Sequence, residues 1–140
     1  MSLCIGETPF GVSVSNFNSS TMTKLQELYF TIQGWDGFSV KYDLTEYGGG
    51  GYAVGGASKP IRVKADEMSW NFFAYIAMPS LQELTRGKAS NLLIGGWVDD
   101  DGMAFLELST IVQDRRQAID LGVDRGELAI YDLWNNEEIR

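Results

Sequence analysis

The chain has 140 residues, with 11 lysines and arginines against 19 aspartates and glutamates, so its net charge is −8. A field of this sign repels nucleic acid backbones and anionic membrane surfaces, so we expect neither as a partner. The length predicts a single domain over residues 1–140, and the one cysteine, Cys4, excludes an internal disulfide. No apolar run approaches the roughly 20 residues that span a bilayer.

Residues 22–33 can be interpreted in two ways. Their apolar side chains recur at helical spacing, yet the run from Leu28 to Ile32 is aromatic and β-branched, which favours a strand. A short loop at Trp35 would pair Ile32 with Val40 and place the apolar side chains on one face. We therefore predict a short helix and then a hairpin, over residues 20–27 and 28–33/38–44.

The segment Gly48–Gly56 contains six glycines in nine residues. Ordering such a backbone costs much conformational entropy, so we predict a connector that is among the most mobile parts of the protein. Its order, GGGGYAVGG, matches neither GxGxxG nor GxxxxGK[ST], which argues against a phosphate cradle. The alternative is a ligand lid or clamp, since long glycine-rich loops are sometimes functional.

Two strands are predicted on either side of these segments, at residues 11–17 and 61–65, from alternation and β-branched content. Ser69 to Arg86 is predicted to be a helix in two pieces. Ser69 caps the first piece, Pro79 begins the second, and Gly87 ends it.

The C-terminal third has the clearest pattern. Asn91–Val98 and Met103–Val112 are apolar runs joined by the turn residues Asp100-Asp101-Gly102. This spacing predicts a hairpin that closes through those three residues, with Gly102 left-handed. In that register Ile94 and Leu106 share one face, whereas a slip of one residue would scatter the apolar side chains.

A helix and a final strand are predicted after the hairpin. Asp114 caps the helix, Gly126 stops it, and residues 127–133 form a strand parallel to 103–112. The predicted fold class is therefore α+β: a mixed, mostly antiparallel sheet of hairpins with about three helices and a C-terminal β-β-α-β unit.

Histidine is absent, which excludes Ser-His-Asp and Cys-His nucleophile systems, histidine bases and histidine zinc ligands. Cys4 lacks an activating neighbour in the sequence. Asp99-Asp100-Asp101 fits a solvated turn better than a calcium site, because three consecutive carboxylates cannot all face one ion. The sequence thus predicts no catalytic residues, no cofactor and no metal.

Four residues remain as candidates for a ligand site or an interface. Glu107 lies in an otherwise apolar strand; a solvent-facing position is the simpler interpretation, and a general acid or base is the alternative. The others are large aromatics expected on or near the wetter sheet face. The full set is Trp35, Trp97, Phe105 and Glu107.

The run NLLIGGWVDDDGMAFLELS, followed by AIDLG and ELAIYDL, resembles a family of small uncharacterised bacterial proteins, chiefly cyanobacterial. The resemblance covers Asn91 to Leu133 and, more loosely, Phe72 to Gly87. It implies a bacterial cytoplasmic setting and carries no catalytic residue or ligand.

These observations favour a non-catalytic interaction or accessory protein of the bacterial cytoplasm. We expect a homodimer, because Trp35, Phe38, Trp97, Phe105 and Ile111 would otherwise leave a large apolar surface uncovered. The alternative is a small-ligand binder or an enzyme that uses carboxylates and the Gly48–Gly56 segment.

Overall fold

The computed structural model describes residues 19–86, 91–127 and 129–140. The predicted strand at 11–17, Cys4 and the helix end at Gly87 lie outside them. The described helices are α1 (Ser19–Gln33), a second helix in three segments, namely α2 (Trp70–Phe72), a π-helical turn (Phe73–Ala77) and α3 (Met78–Thr85), and α4 (Arg115–Arg125). No helix in these ranges is both long and apolar enough to cross a membrane.

Seven strands form one sheet in the described part of the chain. They are β1 (Phe38–Val40), β2 (Tyr52–Val54), β3 (Ile61–Lys64), β4 (Leu92–Val98), β5 (Met103–Val112), β6 (Ile130–Asp132) and β7 (Glu137–Ile139). The order is β1-β4-β5-β2-β6-β7, with β3 also paired to β5, and each of these pairings is antiparallel. The predicted α+β class is confirmed.

The predicted hairpin 28–33/38–44 is wrong, because α1 runs unbroken to Gln33. Its buried residues Leu25, Leu28 and Ile32 follow a helical stripe that packs on the sheet, and this burial outweighs the strand propensity of the aromatic run. Trp35 then adopts a left-handed backbone with φ 61°, and β1 pairs with β4, placing Val40 opposite Ile94.

The second helix begins as predicted, since the Ser69 hydroxyl accepts a hydrogen bond from Phe72 N–H at 3.1 Å. The change in helix type precedes Pro79 and does not occur at it. Met78 N–H donates to Phe73 O, five residues back, and the helix continues through Pro79 to Thr85. The wider π turn lies where a proline would otherwise break the regular i to i−4 pattern.

The predicted β4–β5 hairpin is confirmed. Asp99 N–H donates to Met103 O at 2.9 Å, which leaves a three-residue loop ending at Gly102 with φ 85°. Ile94 lies opposite Leu108, and Leu106 lies opposite Gly96. Ile94 and Leu106 are both fully buried in the same apolar core, so they share one face.

Two apolar clusters lie in the described part of the chain. The larger one joins α1, the second helix and one face of β4 and β5 around Phe73, which is fully buried. Phe38 packs against this cluster, with its ring centroid 6.5 Å from that of Phe73, and so does not lie on the outer face as expected. The smaller cluster lies beneath α4 and contains Tyr52, Val54, Ala118 and Ile130.

The C-terminal elements follow the predicted order with a different neighbour. Asp114 caps α4 by accepting from Gln117 N–H at 2.9 Å, and Gly126 ends it with φ 71°. β6 runs in the direction of β5, as predicted, but it pairs with β2, which lies between the two strands. A further strand, β7, completes this edge.

The prediction of a continuous connecting loop at Gly48–Gly56 is wrong, because residues 52–54 form β2. This strand is buried between β5 and β6. Tyr52 and Val54 enter the smaller core, and their burial offsets the entropy lost by the flanking glycines. Gly51, with φ 106°, provides the left-handed turn into the strand.

Candidate functional site

Residues 55–60 form an arch beside the centre of β5, which we call the β2–β3 arch. It exists because β2 and β3 both pair with the same edge of β5, with Val54 opposite Thr110 and Ile61 opposite Leu106. The arch keeps the intervening backbone of Leu108 hydrogen-bonded. Ala57 N–H donates to Leu108 O at 3.1 Å, and Leu108 N–H donates to the hydroxyl oxygen of Ser58 at 3.0 Å.

Glu107 lies beneath this arch, on the β5 face opposite the larger core. The side chain is 7% exposed, so the expectation of a solvent-facing position is wrong. Its Oε1 accepts a hydrogen bond from Gly56 N–H at 3.2 Å, and its Oε2 accepts one from Trp97 Nε1–H at 3.3 Å. A buried carboxylate requires such donors, and the arch and β4 supply one each.

An aromatic patch lies beside Glu107 on the same face, and we define it by Trp97, Phe105 and Arg62. Trp97 and Phe105 are opposite each other on β4 and β5, and their rings are stacked with centroids 4.4 Å apart and planes 11° apart. The Arg62 guanidinium lies over the Phe105 ring, 5.4 Å from its centroid. Trp97 is still 38% exposed, so the stack forms part of the surface.

Trp35 lies at the turn of the β4–β5 hairpin. It is 55% exposed, and a methyl group placed on Gly102 would be 2.8 Å from its ring. Trp97, Phe105 and Glu107 are thus brought together by direct contacts, whereas Trp35 contacts the end of the same hairpin.

Arg125 and Glu127, at the end of α4, are two site residues that the sequence did not indicate. Arg125 Nη1 donates to the carbonyl oxygens of Val54 and Gly55, both at 3.0 Å, and Nη2 donates to the Thr110 hydroxyl at 3.0 Å. The guanidinium therefore connects the start of the arch to α4 by hydrogen bonds. No sequence pattern indicates this role, because the hydrogen-bond partners of Arg125 lie 15 to 71 residues away along the chain.

Glu127 approaches Glu107 across Gly55. A methyl group on Gly55 would lie 2.5 Å from Glu127 Oε1 and 3.1 Å from Glu107 Oε2, so the two carboxylates converge on a space that only glycine leaves open. Burial and then the nearby Glu107 charge raise the pKa of Glu127, while Arg125 opposes the shift. The ion pairs found among the described residues involve neither carboxylate.

In the acidic turn, the Asp99 carboxylate accepts hydrogen bonds from backbone N–H groups of its own hairpin. Asp99 Oδ1 accepts from Asp101 N–H and Met103 N–H, both at 2.9 Å. Within residues 19–86, 91–127 and 129–140, no three acidic, cysteine or histidine side chains form a group that could hold a metal ion.

No protein-family model, no curated protein and no solved structure matches this chain.

Proposed function

We propose that the protein is a non-catalytic interaction protein of the bacterial cytoplasm that associates through the aromatic patch. The observation that carries this proposal is the parallel stack of Trp97 on Phe105, because it leaves more than a third of a tryptophan side chain in solvent. Tryptophan and arginine, both present in the patch, are enriched among the residues that dominate binding energy. The bacterial and cytoplasmic setting rests on the resemblance of residues 91–133 and on the single cysteine.

The patch is already ordered before any partner binds. Glu107 accepts a hydrogen bond from the Trp97 indole, and the Arg62 guanidinium lies over the Phe105 ring. Side chains held in this way lose little conformational freedom on association, so more of their contact energy appears as affinity.

The occupant that we propose is a second copy of this chain. Arg62 and Lys64 are exposed on β3, on the same face as Phe105, and the hairpin turn nearby carries Asp100 and Asp101. A twofold axis can bring the basic strand of one copy to the acidic turn of the other. The net charge of −8 opposes association, but at physiological salt charges more than about 8 Å apart are largely screened.

Sedimentation equilibrium at micromolar concentration tests the proposal. The wild type is expected to have the mass of two chains, and Trp97→Ala and Arg62→Glu should each shift it toward one chain. Val123→Ala is the matched control, since Val123 is 74% exposed on α4 and outside the patch. Circular dichroism of each variant confirms that it is folded.

A further variant tests the pairing of charges. Adding Asp100→Arg to Arg62→Glu should restore the dimer if the basic strand meets the acidic turn of the partner copy. A wild-type mass of one chain at every salt concentration would refute the homodimer.

A second candidate function is supported by the convergence of Glu107 and Glu127 on Gly55: a small-ligand binder or enzyme that uses these carboxylates and the arch. A carboxyl-carbon chemical-shift titration with methylammonium chloride tests it. Saturable shifts that disappear in Glu127→Gln would support a pocket for a cationic group. Shifts that match those caused by sodium chloride would contradict it.

A further inference from the structure

We propose that the outer edge of β3 binds an extended segment of another protein as an added antiparallel strand, and that it selects a segment in which two acidic residues are separated by one apolar residue. The edge is a different surface from the aromatic patch, although Arg62 contributes to both. The proposal therefore goes beyond the homodimer and is tested apart from it.

β3 has a single strand partner in the described part of the chain. It pairs with β5, and no strand within residues 19–86, 91–127 and 129–140 pairs with its other side. By contrast β2, which pairs with the same side of β5, is followed by β6 and β7. The sheet is therefore stepped, with β3 at an open edge, and such an edge is a template for the addition of a strand.

The backbone of β3 directs every second residue toward this open edge. Ala65, immediately after the strand, donates its N–H to Gly102 O at 2.8 Å, in the register of the β3–β5 ladder. Hydrogen-bonded pairs alternate along an antiparallel ladder, so Val63 bonds to β5 while Arg62 and Lys64 face outward. The described residues provide no hydrogen-bond partner for the N–H groups of Arg62 and Lys64 or for the C=O of Arg62.

The side chains of β3 determine the composition of the partner. Arg62 and Lys64 are exposed on one face, whereas Ile61 and Val63 are partly buried against the larger core. Residues directly opposite each other in an antiparallel pair place their side chains on the same face. The partner residues opposite Arg62 and Lys64 are therefore acidic, and the residue between them, opposite Val63, is apolar.

The open edge is positively charged although the protein is acidic. Residues 59–64 contain Lys59, Arg62 and Lys64 and no carboxylate, in a chain of net charge −8. The ion pairs found among the described residues involve none of these three. The same charges oppose pairing with a second β3, because like charges directly opposite are destabilising. They therefore favour an acidic strand over self-association along this edge.

The test titrates two capped peptides of one composition into the isotope-labelled full chain and follows amide exchange by NMR. Val-Glu-Val-Glu-Val should slow hydrogen exchange at the Arg62 and Lys64 amides, and Glu-Glu-Val-Val-Val should bind more weakly. N-methylation of both glutamates should abolish the protection. N-methylation of the central valine should leave it unchanged, because in this register only the glutamate backbone groups face β3.

A charge reversal on β3 tests the cross-strand pairs. Lys64→Glu should raise the Kd of the alternating peptide by roughly 2- to 30-fold, because one attractive pair becomes repulsive. Lys41→Glu is the matched control, since Lys41 is exposed and lies outside β3. Trp97→Ala should leave the binding of the peptide unchanged while it lowers the mass in sedimentation, which separates the edge from the homodimer.

Two results would overturn the proposal. One is slow exchange of the Arg62 and Lys64 amides in the free protein, which would show that another segment already covers the edge. The other is equal binding, or equal absence of binding, for the alternating, rearranged and N-methylated peptides, which would show that no strand is added. Neither result bears on the homodimer.

Discussion

Trp97 donates its indole N–H to Oε2 of Glu107 at 3.3 Å, so a half-exposed aromatic on β4 is held by a buried carboxylate on β5. The other oxygen of that carboxylate accepts from Gly56 in the β2–β3 arch. The Glu107 side chain therefore connects the aromatic patch to the arch, although its two partners, Gly56 and Trp97, are 41 residues apart in the sequence.

Replacing Glu107 by leucine should destabilise the protein. Gly56 N–H and Trp97 N–H would lose their acceptor, and because both hydrogen bonds are only partly buried we expect a total cost of about 1–3 kcal/mol, less the relief of repulsion with Glu127. Urea unfolding measures the change, and Glu137→Leu on the exposed edge of β7 is the control. Repeating Glu107→Leu in a Glu127→Gln background isolates the relief of repulsion. An unchanged midpoint for Glu107→Leu would show that these hydrogen bonds contribute little.

Gly102→Ala should be more destabilising than alanine at the exposed glycines Gly126 and Gly48. The φ of 85° costs an L-residue about 1–2 kcal/mol, and the new methyl would lie 2.8 Å from Trp35. Gly126→Ala separates the two effects, since its φ is 71° but nothing lies within 4 Å. Gly48→Ala has neither problem and should stay within about 0.5 kcal/mol of wild type. Thermal unfolding should rank the variants in this order, and equal loss at all three would contradict the analysis.

Arg125→Met should loosen the arch. Two carbonyl oxygens and the Thr110 hydroxyl lose a charged donor, for an expected cost of about 1.5–3 kcal/mol. Arg116→Met is the matched control on the same helix, because Arg116 forms an exposed ion pair with Asp120, and such pairs contribute about 0–1 kcal/mol. Chemical denaturation distinguishes the two, and equal effects would mean that the arch is held by other contacts.

Asp132 should make stability depend on acid in the direction opposite to Glu127. Its carboxylate accepts from the Asn135 side chain at 2.9 Å and from the backbone N–H groups of Asn135 and Trp134, which lowers its pKa below 3.8. This contribution is present above the ordinary value and is lost as pH falls through the lowered one. Unfolding free energies from about pH 5 to about pH 2 should fall less steeply for Asp132→Asn than for wild type. Parallel curves would exclude this role.

The sequence determined the features whose causes are local. The β4–β5 hairpin could be placed because its turn chemistry and the alternation of its apolar residues specify one register within about twenty residues. The caps at Ser69 and Asp114 could be predicted for the same reason, since each side chain accepts from a backbone N–H three residues ahead. The α+β class followed from these elements together.

Only the tertiary structure decided the features that depend on distant partners. Residues 28–32 have the composition of a strand, but burial of Leu28 and Ile32 against the sheet makes them helical. Tyr52 to Val54, in a glycine-rich segment, become a strand because β5 and β6 lie on either side. Glu107 and Glu127 both approach Gly55 because glycine has no side chain to fill that space and because Glu127 closely follows the end of α4. Burial and charge proximity act through space, so their outcome is fixed only when the whole chain has folded.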